Sequence, residues 1–101
     1  MRERFDKRYL AGLYDGKGHV QILKNGTLRV GLRVSGDVPM KLKYEFGGSC
    51  FKNKGKFWWR IQGIYAIKFL EGILPFLQVT KEQVEKIVQE AIDRELDGVI
   101  V

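Results

Sequence analysis

Residues that could take part in chemistry alternate along the segment YLAGLYDGKGHV, residues 9–20, where Asp15, Lys17 and His19 stand two positions apart. A carboxylate such as Asp15 can ligate a divalent metal ion. A charged lysine donates hydrogen bonds but accepts none, so Lys17 cannot ligate magnesium. His19 lacks the histidine and cysteine partners from which a transition-metal site is built. We therefore expect no metal cluster from this segment alone.

The chain is strongly basic, but mainly in its middle. Its 101 residues carry a formal net charge of +6, and this length predicts a single domain over residues 1–101. Residues 17–60 hold ten basic and two acidic residues, whereas residues 61–101 hold four basic and seven acidic residues. A segregated basic region is typical of nucleic-acid binding, and the alternative is an ordinary lysine-rich surface.

The composition also bears on the cellular compartment. No apolar run approaches the roughly 20 residues that span a bilayer, and MRERFDKRYL at the N-terminus lacks the apolar core of a signal peptide. Cys50 is the single cysteine, so it forms no disulfide within the chain, and we interpret it as a small buried hydrophobe. We expect a cytoplasmic protein, or an organellar one if the source is a eukaryote, that is neither secreted nor bound to a membrane.

The first predicted element is a helix over residues 5–15. It places Phe5, Tyr9 and Leu13 four positions apart on one stripe. Gly12 costs a helix about 1 kcal/mol relative to alanine, so its presence needs a reason. The small pair Ala11 and Gly12 offers one, since another backbone can approach closely there.

Two predicted strands follow, each with one apolar and one polar face. Residues 27–35, TLRVGLRVS, alternate apolar and polar side chains, and Arg29 and Arg33 lie on the polar side. Residues 19–24 place Gln21 on the polar side of their strand. These two strands therefore predict one basic, polar surface.

The loop between these strands can be predicted from their faces. A three-residue loop from Lys24 to Gly26 pairs Ile22 with Leu28 and keeps the apolar residues on one side, whereas a two-residue turn mixes the faces. We therefore predict a type I turn that ends in a bulge, with Gly26 in the left-handed conformation.

The rest of the chain predicts a second helix and hairpin, then more helices. The elements are a helix capped by Asp37 and ended by Gly47–Gly48, a hairpin that turns at NKGK, a helix over residues 64–74, and a last helix over residues 81–96 with Gly98 beyond its end. Four antiparallel strands with helices on one face make an α+β domain.

This order of elements, with LAGLYDGKG in the first helix, resembles the LAGLIDADG homing endonucleases. The segments YEFGGSC, WWRIQG and ILPFLQVTKEQ resemble, in the same order, the end of that family's middle helix, its fourth strand and its C-terminal helices. The resemblance implies an α-β-β-α-β-β-α-α fold whose four-stranded antiparallel sheet has a saddle-shaped DNA-binding face. It also implies a homodimer in which the motif helices pack together, with its interface at Leu10, Ala11, Gly12 and Tyr14.

The resemblance further implies contacts with a pseudo-palindromic site in the major groove of double-stranded DNA. Arginine suits guanine and glutamine suits adenine, so Arg29, Arg33 and Gln21 are candidates for base readout. Lysines at turns favour phosphate contact. The full set of candidate DNA contacts is His19, Gln21, Lys24, Arg29, Arg33, Ser35, Phe51, Lys52, Asn53, Lys54, Lys56 and Trp59.

Several of these candidates have simpler alternatives. Arg29 and Arg33 would also be explained as solvated strand charges. Trp58 and Trp59 are adjacent, so one of them points away from the core. We assign Trp59, with Phe57, to the polar face, although an edge cluster or a dimer contact would also explain an exposed tryptophan.

Lys17 is the main departure from the family. The resemblance implies a metal-binding Asp or Glu at this position, and the metals activate water to cut a phosphodiester. Thr80 stands where the family often has a lysine that assists at the phosphate, and Gly36 where it often has a polar residue after the second strand. We therefore expect a DNA-binding protein whose cleavage is lost or disabled and which binds no cofactor.

Two alternatives stay open, so the sequence leaves enzymatic activity undecided. An active endonuclease would bind Mg²⁺ at an altered site that uses Asp15, although the resemblance favours a structural role for this residue at the helix end. An RNA-binding intron splicing cofactor would instead stack unpaired bases on exposed aromatic side chains.

Overall fold

Four helices and four strands make up the part of the chain described by the computed structural model, which covers residues 5–100, with side chains for residues 5–94. The elements are α1 (Lys7–Lys17), β1 (Gly18–Ile22), β2 (Leu28–Val34), α2 (Val38–Phe46), β3 (Ser49–Asn53), β4 (Lys56–Gln62), α3 (Ile64–Ile73), a 3-10 turn (Leu74–Phe76) and α4 (Lys81–Ile100). The predicted order of elements is confirmed.

The strands form one antiparallel sheet in the order β1-β2-β4-β3. One side of this sheet carries the apolar residues Leu28, Val30, Leu32, Trp59 and Ile61, all of which are buried. These residues form a single core with the buried faces of the helices. The predicted α+β class and the four-stranded antiparallel sheet are therefore confirmed.

The first hairpin has the predicted register. Ile22 lies opposite Leu28 and Val20 opposite Val30, which keeps the apolar side chains of both strands on the core side. The Gly26 N–H donates to the Leu23 carbonyl oxygen at 2.8 Å, and Gly26 has a φ of 87°. This left-handed glycine closes the loop without splaying the strands.

The second hairpin turns at NKGK, as predicted. Asn53 lies opposite Lys56, so Lys54 and Gly55 form a two-residue turn. Both have positive φ angles, 54° and 77°, as a type I′ turn requires. This turn fixes the register of β3 against β4, and therefore which side chains of β4 face the core.

Helix α1 begins two residues later than predicted and buries a different stripe. Its N-cap is Asp6, whose carboxylate accepts a hydrogen bond from the Arg8 N–H at 2.7 Å. The fully buried residues are Leu10, Ala11 and Tyr14. Of the predicted stripe, Phe5 and Leu13 pack partly against the core and Tyr9 is 47% exposed.

The physical reason for this difference lies where α1 meets β1. A side chain at Gly18 would collide with the Tyr14 ring, so the glycine lets this ring pack against the start of the strand. Ala11, fully buried, adds little bulk on the same face of the helix. Small residues thus decide which of two apolar stripes the helix turns inward.

The last helix is longer than predicted. Helix α4 runs to Ile100, so Gly98 lies inside it and does not mark its end. A glycine in a helix interior costs about 1 kcal/mol relative to alanine, which weakens a helix without terminating it. Within the described range, no helix combines the length and apolar character needed to cross a membrane.

A candidate nucleic-acid interface on the open face of the sheet

The side of the sheet opposite the helices is polar and basic, and we call it the open face. Directly paired residues of antiparallel strands share a face, so the register defines its members. They are His19 and Gln21 of β1, Arg29, Gly31 and Arg33 of β2, Ser49, Phe51 and Asn53 of β3, and Lys56, Trp58, Arg60 and Gln62 of β4. The four strands together hold five basic residues and no acidic residue.

Most of the predicted DNA contacts lie on or beside the open face. The residues on it are His19, Gln21, Arg29, Arg33, Phe51, Asn53 and Lys56. Ser35 is exposed just after β2, and Lys24 and Lys54 are exposed in the two hairpin turns. The structure thus brings together ten of the twelve predicted contacts.

Trp59 lies on the opposite side of the sheet, so its assignment to the DNA-binding face is wrong. Lys52, predicted as a turn lysine that contacts phosphate, lies on that side too, within β3. The Trp59 side chain is fully buried, and its indole N–H donates to the Gly47 carbonyl oxygen at 2.8 Å. Lys52 extends over the Phe57 ring, with its ammonium nitrogen 5.4 Å from the ring centre. Phe57 is paired with Lys52 and therefore lies on the same side, so its predicted assignment to the polar face is also wrong.

The open face also contains four side chains that the sequence did not predict as DNA contacts: Ser49, Trp58, Arg60 and Gln62. The signal for them was present in the predicted turn. A hairpin closed at NKGK pairs Asn53 with Lys56 and therefore Phe51 with Trp58, so the alternation along β4 puts Trp58 outward. This register distinguishes the two adjacent tryptophans, because it puts Trp58 on the same face as Phe51 and Trp59 on the other.

Aromatic rings cross the centre of the open face in a line that we call the aromatic row, formed by His19, Trp58 and Phe51. The ring centres of His19 and Trp58 are 5.3 Å apart in an edge-on arrangement. Those of Phe51 and Trp58 are 6.3 Å apart with nearly parallel planes. The Arg60 guanidinium lies over the Phe51 ring, 4.9 Å from its centre.

A second feature is a basic groove at the end of α1. It has a volume of about 430 Å³, and Lys17, Arg33 and Lys56 line it together with Ser35. No carboxylate is among its lining residues, all of which are described. Three cations with no balancing anion make this groove suited to a phosphate group.

Asp15 points away from that groove and caps the start of α4. Its carboxylate accepts hydrogen bonds from the backbone N–H groups of Gln78 (2.8 Å), Val79 (3.2 Å) and Thr80 (2.9 Å), and from the Thr80 hydroxyl (2.7 Å). Burial raises the pKa of this carboxyl, but the hydrogen bonds outweigh burial and hold the pKa below its usual value.

The residues at the end of α1 do not fit a magnesium site. Lys17 lines the groove with a cation, and the Asp15 carboxylate already accepts four hydrogen bonds at the start of α4. Among the described side chains, no three of His, Cys, Asp and Glu gather closely enough to hold a metal ion.

Three of the four residues predicted at a dimer interface belong to the core of the chain itself. Leu10, Ala11 and Tyr14 are at most 1% exposed, so their side chains are covered without a partner. Burial, with a smaller effect from the charge of Asp15, raises the pKa of Tyr14 to about 12. Gly12 alone of the four is exposed, and a Cβ added to it would meet nothing within 4 Å.

The backbone is similar to solved structures of homing endonucleases. I-CvuI in complex with its target aligns with a TM-score of 0.69 at 21% identity, over 82% of this chain and 63% of that one. I-CvuI in complex with the I-CreI target, where magnesium was present and the DNA was not cleaved, aligns with a TM-score of 0.67 at 20% identity over the same shares of the two chains. I-TnaI aligns with a TM-score of 0.69 at 18% identity, over 94% of this chain and 77% of that one.

Sequence comparison adds nothing to this similarity, because no protein-family model and no curated protein matches the chain. At these identities the similarity concerns the fold. The chain spans just under two thirds of the I-CvuI chain.

Proposed function

We propose that this chain, which has the fold of the LAGLIDADG homing endonucleases, binds double-stranded DNA through the open face of its sheet. The observation that carries the proposal is the segregation of charge in three dimensions. The strands contain five basic residues and no carboxylate, and four of the five basic residues lie on the open face. A surface of this kind attracts the phosphate backbone.

The open face supplies groups for reading bases as well as for binding phosphates. Arg29 lies between Gln21 of β1 and Gln62 of β4, so an arginine and two amides share one row across three strands. These side chains match the acceptor and donor edges of guanine and adenine in the major groove. Lys24 and Lys54 stand at the two opposite ends of the sheet, where they suit phosphates on either side of the groove.

A second copy of the chain completes the proposed DNA reader. The exposed face of α1 carries Gly12 and Gly16, and a Cβ at either would meet nothing within 4 Å. Tyr9 is also exposed on this helix, and Leu13 is half-buried. Packing α1 against α1 of the partner at these small residues would join two sheets into one longer surface for a pseudo-palindromic site.

Cleavage is absent from the proposed function because the residues needed to bind metal are otherwise engaged. Lys17 contributes a cation where a metal ligand would be required, and Asp15 holds the start of α4. The basic groove is therefore assigned to an intact phosphate of the DNA, which Lys17 and Lys56 bind without metal.

The test is a selection of bound duplexes from a random DNA library in the absence of magnesium. A palindromic consensus over about two helical turns is the expected result, since two half-sites are read by two copies. The selected duplex is then incubated with the protein and Mg²⁺, and we expect it to stay intact. Failure to enrich any duplex would reject the proposal.

The two other candidate functions give different results in the same experiments. Magnesium-dependent cutting that is lost in Asp15→Asn, in protein that remains folded, would establish an active endonuclease. Preference for a structured RNA over every duplex would instead support an RNA-binding splicing cofactor, for which the aromatic character of the row is the supporting feature.

A further inference from the structure

The aromatic row is an apolar strip in the middle of a cationic surface, and the proposed contacts of arginines and amides leave it unexplained. His19 belongs to β1, Trp58 to β4 and Phe51 to β3. Strand β2 lies between β1 and β4, and there the position opposite His19 is Gly31. A Cβ at Gly31 would lie 3.1 Å from the His19 imidazole, so the glycine leaves room for this ring beside Trp58.

The rings of the row are arranged for contact with one another. Phe51 and Trp58 lie with nearly parallel planes, and the Arg60 guanidinium covers the Phe51 ring. His19 meets Trp58 edge-on. Stacking of unpaired bases requires free ring faces, and here part of that surface is taken up by neighbouring groups. The arrangement favours contact between the row and a small apolar group over stacking on a whole base.

The major groove of a duplex offers one kind of apolar group, the methyl group at C5 of a pyrimidine. Thymine carries this methyl, and so does 5-methylcytosine, whereas the other base edges in the groove present hydrogen-bond donors and acceptors. Arg29 and Arg33 flank Gly31 along β2. The aromatic row therefore lies between two arginines that are proposed to read neighbouring base pairs.

We propose that the aromatic row contacts the C5 methyl group of a pyrimidine in the major groove, so that each half-site carries a methylated pyrimidine beneath Trp58. This inference rests on the proposed binding of double-stranded DNA. It names the chemistry that the centre of the open face recognises.

The experiment replaces each thymine of the selected duplex by uracil, one position of each half-site at a time. Uracil keeps the hydrogen-bonding groups and the base pair of thymine and lacks only the methyl. We expect one position at which uracil weakens binding by about fourfold per methyl contact, the value of burying one methylene-sized group. At that position, 5-methylcytosine should bind more tightly than cytosine by a similar factor if the methyl alone is recognised. A preference for thymine without a preference for 5-methylcytosine would identify thymine as the ligand.

Variants link this effect to the row. Trp58→Ala should bind the thymine and uracil duplexes with equal affinity at the sensitive position. Because Trp58 is half-buried and its truncation could disturb the sheet, Phe51→Ala serves as the second variant. Tyr65→Ala is the matched control, since Tyr65 is an aromatic residue of α3 that is 64% exposed and lies outside the open face. It should keep the full preference for thymine.

The outcomes separate this inference from the proposed function. If a duplex is selected but uracil replaces thymine everywhere without loss, the row does not read methyl groups, although the protein binds DNA. If Trp58→Ala weakens the thymine and uracil duplexes equally, or if the protein prefers the single-stranded form of its site, the row acts in another way and the inference is wrong. If no duplex is selected, the proposed function and the inference fail together.

Discussion

Asp15 connects the end of α1 to the start of α4. Backbone N–H groups at the start of a helix have no hydrogen-bond partner within the helix. The positive end of the helix dipole also favours an anion there. The carboxylate of Asp15 satisfies three such N–H groups, at residues 78–80, and also the Thr80 hydroxyl. A residue that resembles a metal ligand in sequence is thus placed as a structural acceptor.

Asp15→Asn should lower the free energy of unfolding at pH 7 by about 1 kcal/mol, because a charged acceptor of four hydrogen bonds becomes a neutral one. The measurement is urea denaturation followed by circular dichroism. Asp37→Asn is the control, since the exposed Asp37 carboxylate makes an ion pair with Lys41 at 3.4 Å. Exposed pairs of this kind contribute little, so its effect should be under about 0.5 kcal/mol.

The effect of Asp15 should depend on pH. Its pKa is lower in the folded state than in the unfolded state, so acidification protonates the unfolded state first. The stabilisation is therefore fully present above the unfolded pKa of about 3.9 and is lost as pH falls through the folded pKa. The wild type and Asp15→Asn should converge in stability once the pH is below the folded pKa of Asp15. An unchanged difference at low pH would show that the charge of Asp15 is not what stabilises this contact.

Arg33 lies where it could contact either a base or a phosphate, and a substitution tells the two contacts apart. It lies on the open face opposite Trp58 and also lines the basic groove. We expect Arg33→Ala to weaken binding of the selected duplex by about 1–3 kcal/mol and to relax the consensus at one position of each half-site. Fluorescence anisotropy with selected and random duplexes checks this. Equal losses on both would assign Arg33 to phosphate only.

At the scale of elements, the two faces of α1 have different surroundings. Its inner face packs Leu10, Ala11 and Tyr14 into the core, and Tyr14 fits against Gly18 of β1. Its outer face presents Gly12 and Gly16 with open space above them. A helix normally loses stability with each interior glycine, so two on the outer face are consistent with close approach of a second helix.

Gly12→Leu should abolish the proposed dimer while leaving the monomer folded. A Cβ at residue 12 meets nothing within 4 Å in the single chain, whereas a leucine there would prevent two α1 helices from approaching closely. Leucine is also the better helix former by about 1 kcal/mol, so the monomer should not lose stability. Sedimentation at micromolar concentration measures the change in mass.

Gly72→Ala provides the matched control for this experiment. Gly72 lies in α3, and a Cβ there would approach the described atoms no closer than 4.0 Å, at the Lys7 side chain. This variant should raise helix propensity in the same way and remain dimeric. A monomeric wild type, or a Gly12→Leu variant that dimerises normally, would contradict a contact through α1.

At the scale of the whole molecule, charge divides between the sheet and the last helices. The strands carry only basic charges, whereas residues 61–101 hold seven acidic residues and four basic ones. If the proposed function is right, the basic strands would attract the DNA backbone to the sheet before contact.

This asymmetry predicts a steep dependence of binding on salt. Lys54→Ala, in the turn between β3 and β4, should weaken selected and random duplexes alike. It should reduce the slope of log K against log salt by about 0.9 for each lost phosphate contact, or about 1.8 for a dimer. Lys86→Ala is the control, since Lys86 is an exposed residue of α4, and it should leave the slope unchanged. A normal slope for Lys54→Ala would place this lysine away from the DNA.

The order of elements and the first hairpin could be predicted from the sequence, because alternation of apolar and polar residues and the Lys24–Gly26 loop act locally. Local geometry also supplied the second turn, where Lys54 and Gly55 take positive φ angles. Most of the basic surface followed from strand alternation alone. The family's fold followed from several short segments in the right order, and the structural similarity supports it.

Tertiary structure decided which of two equivalent faces each element buried. Helix α1 has two apolar stripes, and the inner one includes Tyr14, whose ring packs where a side chain at Gly18 would collide with it. Trp59 packs against Phe46 of α2 and Phe69 of α3, two helices whose positions the turn between β3 and β4 does not specify. Asp15 acquired its partners from residues more than 60 positions away. Such choices depend on contacts between distant segments, which a local pattern of residues does not specify.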